Sequence, residues 1–509
     1  MLILLRSTLF YFATFGLIPS CFSSNIDALP TSFKNSLNKS QIPYSAMSLH
    51  VIKIKNPSNN DIGFTEILGW RSDAPMNPAS TMKVLTTVGA LNILGPHYQW
   101  QLKIFTDGSI DQGVLNGNLY LQGFGDPKFS QDDLERIALE LRAMGIDKIN
   151  GKLIFDRSAH DPSLLSGKTL DGQVNRSYNV FPDPLLYSLN TLKFQIGAVI
   201  EGGTPSITYQ PNLANFKVVN NLKQNRNTSC GNWQELIGFH ISNDEKNAPQ
   251  TDEPILATFN GSIPLGCDEL TYPIVALPPN TMLTRGFQAV WESAGGEWAA
   301  APAGENGTVP ESANQLISHQ GTLLKDAIWD INNFSNNTMA KQVFLTIGLD
   351  KTGKPASLDK SALAIKQWLS SNNLIFPELS LENGSGLSRV EAISARNLTT
   401  VLTLLQSPEA SAIFLNSLPV PGKDGTMKNR LNAYLTKYDR FQSKPEAHIK
   451  TGSLSDVKAI SGFVKSRSGN LYAISSFINH ENANKGQDAH DQLLIWLIED
   501  GPEKNRIKP

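Results

Sequence analysis

Cysteine is scarce in this chain: 3 in 509 residues. That is too few for a disulfide-stapled scaffold, so the fold must rest on buried apolar cores. An excess of one charge is also missing. Lys and Arg number 44 against 46 Asp and Glu, a formal net charge of −2, which leaves no electrostatic footprint for nucleic acid. The 8 His form no His-Glu-x-x-His pattern and no paired His and Cys spacing. Nothing therefore supports a metal site, and no cofactor is expected. After the first 20 or so residues no run is long and apolar enough for a transmembrane helix. Fixed-period repeats and low-complexity tracts are absent as well.

What is present is an ordinary globular composition, 40% hydrophobic, on a chain long enough for two or three domains. The N-terminus reads as a targeting segment. Arg6 precedes an apolar run from Leu9 to Ile18, with small residues at Ser20 and Ser23. The expectation is a secretory signal peptide over 1–23. A lipoprotein signal around Cys21 is the second reading, disfavoured because Pro19 precedes the small residue of Ile18-Pro19-Ser20-Cys21. With the signal removed, Cys230 and Cys267 remain, an even pair suited to a disulfide in an oxidising compartment; two buried thiols are the alternative. The polar tail from Gly501 to Pro509 lacks an amphipathic anchor, so at most peripheral membrane association is expected.

The chemistry begins at Pro78-Ala79-Ser80-Thr81-Met82-Lys83. A serine hydroxyl needs an adjacent base to act as a nucleophile. Residues three apart share a helix face. Val84, Leu85, Val88 and Leu91 recur at helical spacing until Gly95-Pro96, which predicts a helix that brings Lys83 to Ser80. Alone, this pattern more readily reads as a capping serine followed by a solvated lysine. A second element, Ser335-Asn336-Asn337, lies between helical patterns at Leu323 to Ile331 and Thr338 to Ile347; by itself it is a polar turn. A third, Lys450-Thr451-Gly452-Ser453, precedes two apolar runs, Ile460 to Val464 and Leu471 to Ile478, joined by a turn-like Arg467-Ser468-Gly469-Asn470. It reads as a strand whose Gly452 admits a close ligand.

Ser-x-x-Lys, Ser-x-Asn and Lys-Thr-Gly in this order resemble the motif set of the penicillin-binding proteins and serine β-lactamases. Glu382-Asn383-Gly384-Ser385-Gly386-Leu387-Ser388-Arg389, Gly123-Phe124-Gly125-Asp126-Pro127 and Leu418-Pro419-Val420-Pro421-Gly422-Lys423-Asp424-Gly425-Thr426 are similar to segments of the class C low-molecular-mass penicillin-binding proteins, the D-alanyl-D-alanine carboxypeptidase/endopeptidase family. The likeness runs from about residue 30 to about residue 500. One departure is Asn336, where many members carry Asp.

The resemblance implies an α+β fold. A transpeptidase-like domain, an antiparallel sheet covered by helices, would span 24–95 and 284–509. Two nested, mainly β domains would be inserted in it, an intermediate one at 96–113 and 186–283 and an innermost one at 114–185. Within the insert, a helix is expected from Gln131 to Met144, and the polar, Asn-rich stretch from Leu213 to Asn247 reads as exposed loops.

The implied activity is that of a periplasmic serine-type D-alanyl-D-alanine carboxypeptidase and DD-endopeptidase. Its partners would be peptidoglycan stem peptides and cross-links, with β-lactams as covalent inhibitors. Ser80 would be the nucleophile and Lys83 its base. Ser335 would relay a proton to the leaving amine, Asn337 would bond the substrate amide and Lys450 would add positive charge. Thr451, Gly452 and Ser453 would hold the substrate, with the oxyanion between the backbone N–H groups of Ser80 and Ser453. A serine β-lactamase would share the motifs without needing so large an insert. A non-catalytic wall-binding scaffold would leave the intact triple motif unexplained.

Overall fold

The computed structural model describes residues 26–55, 63–197, 203–226, 229–242, 254–267, 269–436 and 446–506. The expected signal peptide and Cys21 lie outside them. Among the described residues, no helix is long and apolar enough to cross a membrane.

The two ends of the chain meet in one five-stranded antiparallel sheet. Its order is Phe64–Trp70, Met47–Ile54, Leu471–Asn479, Val457–Lys465, Glu446–Leu454. The central strands read as near-continuous apolar runs because both faces are covered. Thr31–Lys39 and Gln487–Ile498 pack on one face through Phe33, Leu37, Leu493 and Leu497. On the other, Ala395–Val401 lies against the sheet, with the Met82–Ile93 helix behind it. Every residue from Met82 to Leu91 is buried, so that helix is enclosed on all sides, as a central helix is. Each fully buried Leu or Val there contributes about 1.5–3 kcal/mol. Glu446–Leu454 is the edge strand, which leaves one side of Lys450–Ser453 open toward the Ser80 turn.

The chain leaves this half after Leu94 and returns at Leu324. Between them, one five-stranded sheet has the order Gly304–Asn306, Leu153–Asp156, Leu119–Gly123, Gln99–Thr106, Asn314–Leu323. A four-stranded sheet joins Glu297–Trp298, Lys148–Ile149, Val114–Asn116 and Ser109–Asp111. The expected helix is present at Gln131–Ala143 and packs on Pro279–Ser293. Farther along, Leu192–Ile196 pairs with Ile207–Gln210 and Leu270–Ile274, and Ile255–Pro264 sits between Phe216–Asn225 and Ile237–Ser242.

Residues 114–185 share their sheets with neighbouring segments. Their strands pair with Gln99–Thr106 on one side and with strands from 297–306 on the other. Two further sheets are built wholly within 192–274, and the helix Leu324–Asn333 follows the strand Asn314–Leu323. Register between distant strands is a long-range property that local patterning does not carry. The stretch expected as exposed loops differs. Phe216–Asn225 and Ile237–Ser242 are strands, with Phe216 and Leu222 buried and polar residues alternating outward. Residues 243–247 lie outside the described ones.

Cys230 and Cys267 form a disulfide with a Cα–Cα distance of 5.7 Å and a sequence separation of 37. A closed loop of this size stabilises by roughly 3–4 kcal/mol in the chain-entropy model. Replacing both cysteines by Ala should lower the unfolding free energy by about that amount, which denaturant titration checks.

The insert is tied to the catalytic half beside the Gly123–Pro127 segment, where Lys128 Nζ pairs with Asp330 at 2.8 Å. Asp126 is buried and accepts hydrogen bonds from the backbone N–H groups of Lys128 and Thr322, each at 2.8 Å. It thus holds the 126–128 turn against the returning strand, while Gln342 Nε2 donates to the Asp183 carbonyl at 2.7 Å.

Candidate active site

Ser80 sits on a single 3-10 turn, Ala79–Thr81, that runs straight into the Met82–Ile93 helix. Ala79 has φ +44, a left-handed conformation uncommon outside glycine. It is held because Ala79 N–H donates to Asn77 Oδ1 at 2.8 Å and Asn77 is itself bonded to Asn479 and Ser388. Two glycines press on this turn. A Cβ on Gly386 would lie 1.9 Å from the Ala79 carbonyl oxygen, and one on Gly452 would lie 2.7 Å from that of Pro78. Any side chain at either position would push the Ser80 turn out of place.

Lys83 is wholly buried, and its Nζ lies 3.0 Å from Ser80 Oγ and 2.6 Å from Asn337 Oδ1, with a further bond to the Ser385 carbonyl. Burial pushes its pKa well below the usual lysine value, and nearby Lys450 pushes it further. The neutral amine, the form able to take a proton, is therefore favoured.

The second motif joins two helices, Leu324–Asn333 and Asn337–Thr352. Asn336 is the N-cap of the second, its side chain accepting from Met339 N–H at 3.0 Å. Asn and Asp cap helices about equally well, so the departure at this position is structurally neutral. Ser335 adopts φ +59, and its Oγ receives Lys450 Nζ at 3.0 Å. Lys450 is also fully buried and is lowered by that burial to about 7. Along the edge strand, Thr451 Oγ1 donates to Thr426 Oγ1 at 2.7 Å, and Ser453 Oγ receives Lys458 Nζ at 2.9 Å.

The three motifs, the first and third of them 370 positions apart (450 − 80), thus converge on one cleft between the edge strand, the Ser80 turn and the Ser335–Asn337 turn. Among the described residues, no group of three or more His, Cys, Asp or Glu could hold a metal.

The family model for D-Ala-D-Ala carboxypeptidase 3 (S13) matches residues 60–499. This chain belongs to that S13 family. It is 25% identical over 477 residues to the D-alanyl-D-alanine carboxypeptidase DacB of Haemophilus influenzae, covering 90% of this chain and 93% of that protein. It is also 25% identical over 433 residues to the D-alanyl-D-alanine carboxypeptidase of Actinomadura sp. (strain R39), covering 83% and 77%. The crystal structure of penicillin binding protein 4 from Haemophilus influenzae superposes with a TM-score of 0.68 at 21% identity, over 91% of this chain and 99% of that one. The S13 chain accordingly has the penicillin-binding-protein fold with its inserted domains and is a serine-type hydrolase of the carboxypeptidase class.

Sequence patterns did not single out several groups of the S13 cleft. The Ser385 carbonyl on Lys83 belongs to a segment noticed only for its likeness to a family signature. Glu391, just beyond that segment, carries no local signal. From the insert, the Tyr178 carbonyl receives Asn337 Nδ2 at 3.4 Å and the Ser177 carbonyl receives Thr338 Oγ1 at 3.3 Å. The 177–178 segment has no motif, and only the tertiary path of the insert brings it here.

Proposed function

We propose that this protein is a periplasmic D-alanyl-D-alanine carboxypeptidase that also cleaves the D-alanyl cross-links of peptidoglycan, by way of an acyl-enzyme on Ser80 that penicillins trap. The observation that carries this reading is the buried Lys83 amine 3.0 Å from Ser80 Oγ. Ser80 Oγ attacks the D-alanyl carbonyl and Lys83 Nζ takes its proton. The oxyanion is held by the backbone N–H groups of Ser80 and Ser453. Ser335 passes a proton to the leaving amine, with Lys450 as its charged partner. Thr451 and Ser453 receive the terminal carboxylate, and Lys458 on Ser453 extends the positive field there. Asn337 orients the peptide amide. Water then hydrolyses the ester and frees Ser80.

Fluorescent penicillin followed by purified muropeptide dimers tests the reading. Labelling at Ser80, slow release of the label and cleavage of the dimers are expected. Fast release with intact dimers would point to a β-lactamase.

The insert, in this proposal, shapes access for large substrates. Tyr178 is 41% exposed and flanks Asn337 across a cleft of about 610 Å³ that Ser335 and Lys193 also line. Tyr178→Ala keeps the backbone carbonyl that meets Asn337. Penicillin acylation should stay close to wild type while dimer cleavage drops several-fold, because only the larger substrate draws on remote binding energy. Equal losses in both assays would remove the insert from substrate selection.

A further inference from the structure

Glu391 is fully buried, and both of its carboxylate oxygens are occupied by one loop. Oε1 accepts from the backbone N–H groups of Glu382, Asn383 and Gly384 at 3.1, 2.9 and 2.8 Å. Oε2 accepts from that of Gly386 at 2.9 Å. Ser388 Oγ in turn accepts from Glu391 N–H at 3.1 Å and fixes the root of the side chain. The loop held this way makes two contacts with the reacting groups. Its Ser385 carbonyl takes a hydrogen bond from Lys83 Nζ, and its Gly386 lies against the Ala79–Ser80 backbone. No other described side chain accepts more than one of these four N–H groups.

We propose that Glu391 is a positioning residue for acylation of Ser80: its carboxylate folds the 382–386 turn so that the Ser385 carbonyl orients Lys83 and Gly386 supports the nucleophile turn. The assignment rests on the acyl-enzyme reading above. A carboxylate suits the task because it is the one side chain of this size with two acceptor oxygens and no donor. Glutamine in the same place would turn an NH₂ group toward a backbone N–H.

Its charge has a second effect. The charged groups facing Lys83 are Lys450 from the edge strand, Lys341 from the Asn337–Thr352 helix, and Glu391 from the loop. Lys341 in turn faces Glu382 and Glu391. Glu391 is the anionic member of the set around Lys83, and it offsets part of the push from the two lysines. Burial raises the Glu391 carboxyl and the four N–H donors oppose that rise. With both oxygens accepting, the ionised form is the one the loop holds.

Three variants separate geometry from charge. Glu391→Gln keeps the shape and removes the charge. Glu391→Asp keeps the charge and shortens the reach. Glu391→Ala removes both. The readouts are thermal melting and the second-order rate of penicillin acylation as a function of pH. All three should be slowed on the order of 10- to 100-fold, the cost of a reacting group displaced by about an ångström. In Glu391→Gln and Glu391→Ala the acid limb should also move to lower pH by roughly half a unit to one unit, because Lys83 loses a neighbouring negative charge. In Glu391→Asp that limb should stay in place. A folded Glu391→Gln with wild-type acylation overturns the proposal, and so does uniform slowing with an unmoved acid limb. If Glu391→Gln fails to fold, the Asp and Ala variants decide by the same criteria. Absence of any acylation in the wild type would instead overturn the acyl-enzyme reading itself.

Discussion

A Ser80→Ala variant should take up no covalent penicillin and release no D-alanine, with rates falling by roughly four orders of magnitude or more. The expectation rests on uniqueness within the cleft. Two other hydroxyls of the three motifs meet a lysine: Ser453 Oγ meets the half-buried Lys458 on the neighbouring strand, and Ser335 Oγ meets Lys450, which stays partly protonated near pH 7 because burial lowers it only to about 7. Ser80 meets Lys83, which burial and the neighbouring Lys450 both push well below the usual lysine value, and it begins the helix from which Lys83 projects. Alanine at position 80 removes one oxygen from a clamped turn and leaves Asn77, Gly386 and Gly452 to hold the backbone. The fold should therefore survive, and melting should confirm it. Intact-mass measurement after penicillin treatment is the direct check. A penicillin adduct formed at the wild-type rate would place the nucleophile elsewhere.

Lys83→Ala should slow acylation on the order of 10²–10⁴-fold, the range expected for loss of a general base. The pH dependence supplies the sign. Lys83 must be neutral to accept the Ser80 proton, so its deprotonation sets the acid limb of the wild-type profile. Burial first, and Lys450 second, move that limb well below the usual lysine range. Lys450 acts as a cation, so activity should decline on the alkaline side as it loses its proton, from about 7 in the free enzyme. The two amines interact, so the profile reports apparent values of the pair. In Lys83→Ala the acid limb should vanish and residual activity should rise with hydroxide. Because a buried amine is removed rather than left unpaired, the variant should be no less stable than wild type by more than a few kcal/mol. An unchanged acylation rate near pH 7 would mean that Ser80 is activated by another group.

Much of the catalytic half was legible from local pattern. The helix after Ser80, the helices flanking Ser335–Asn337 and the hairpin after Lys450 follow from hydrophobic period and turn residues, which act within a few residues of each other. The residue types in the three motifs likewise carry their chemistry with them. Asn336 shows how far this goes: its cap role depends only on the next three residues.

Within the insert, the pairing of strands was not legible. Strand bounds such as Leu119–Gly123 are local, whereas their pairing with Gln99–Thr106 and Leu153–Asp156 joins residues that no local pattern connects. The same limit hid the strand at Phe216–Asn225. Its outward polar residues dominate the composition, while two buried side chains and a parallel partner at Ile255–Pro264 decide its conformation.

The sequence by itself determined which groups this protein has to work with: a serine with a lysine one turn on, a Ser-x-Asn turn, and a Lys-Thr-Gly strand, each in a segment whose local structure its own residues set. Only the tertiary structure decided what those groups are. Burial from all sides lowers the Lys83 amine, the loop folded around Glu391 sets the Ser385 carbonyl on that amine, and the returning insert lays Ser177 and Tyr178 beside Thr338 and Asn337. Helices and turns arise from neighbours in the chain, but desolvation and convergence depend on neighbours in space.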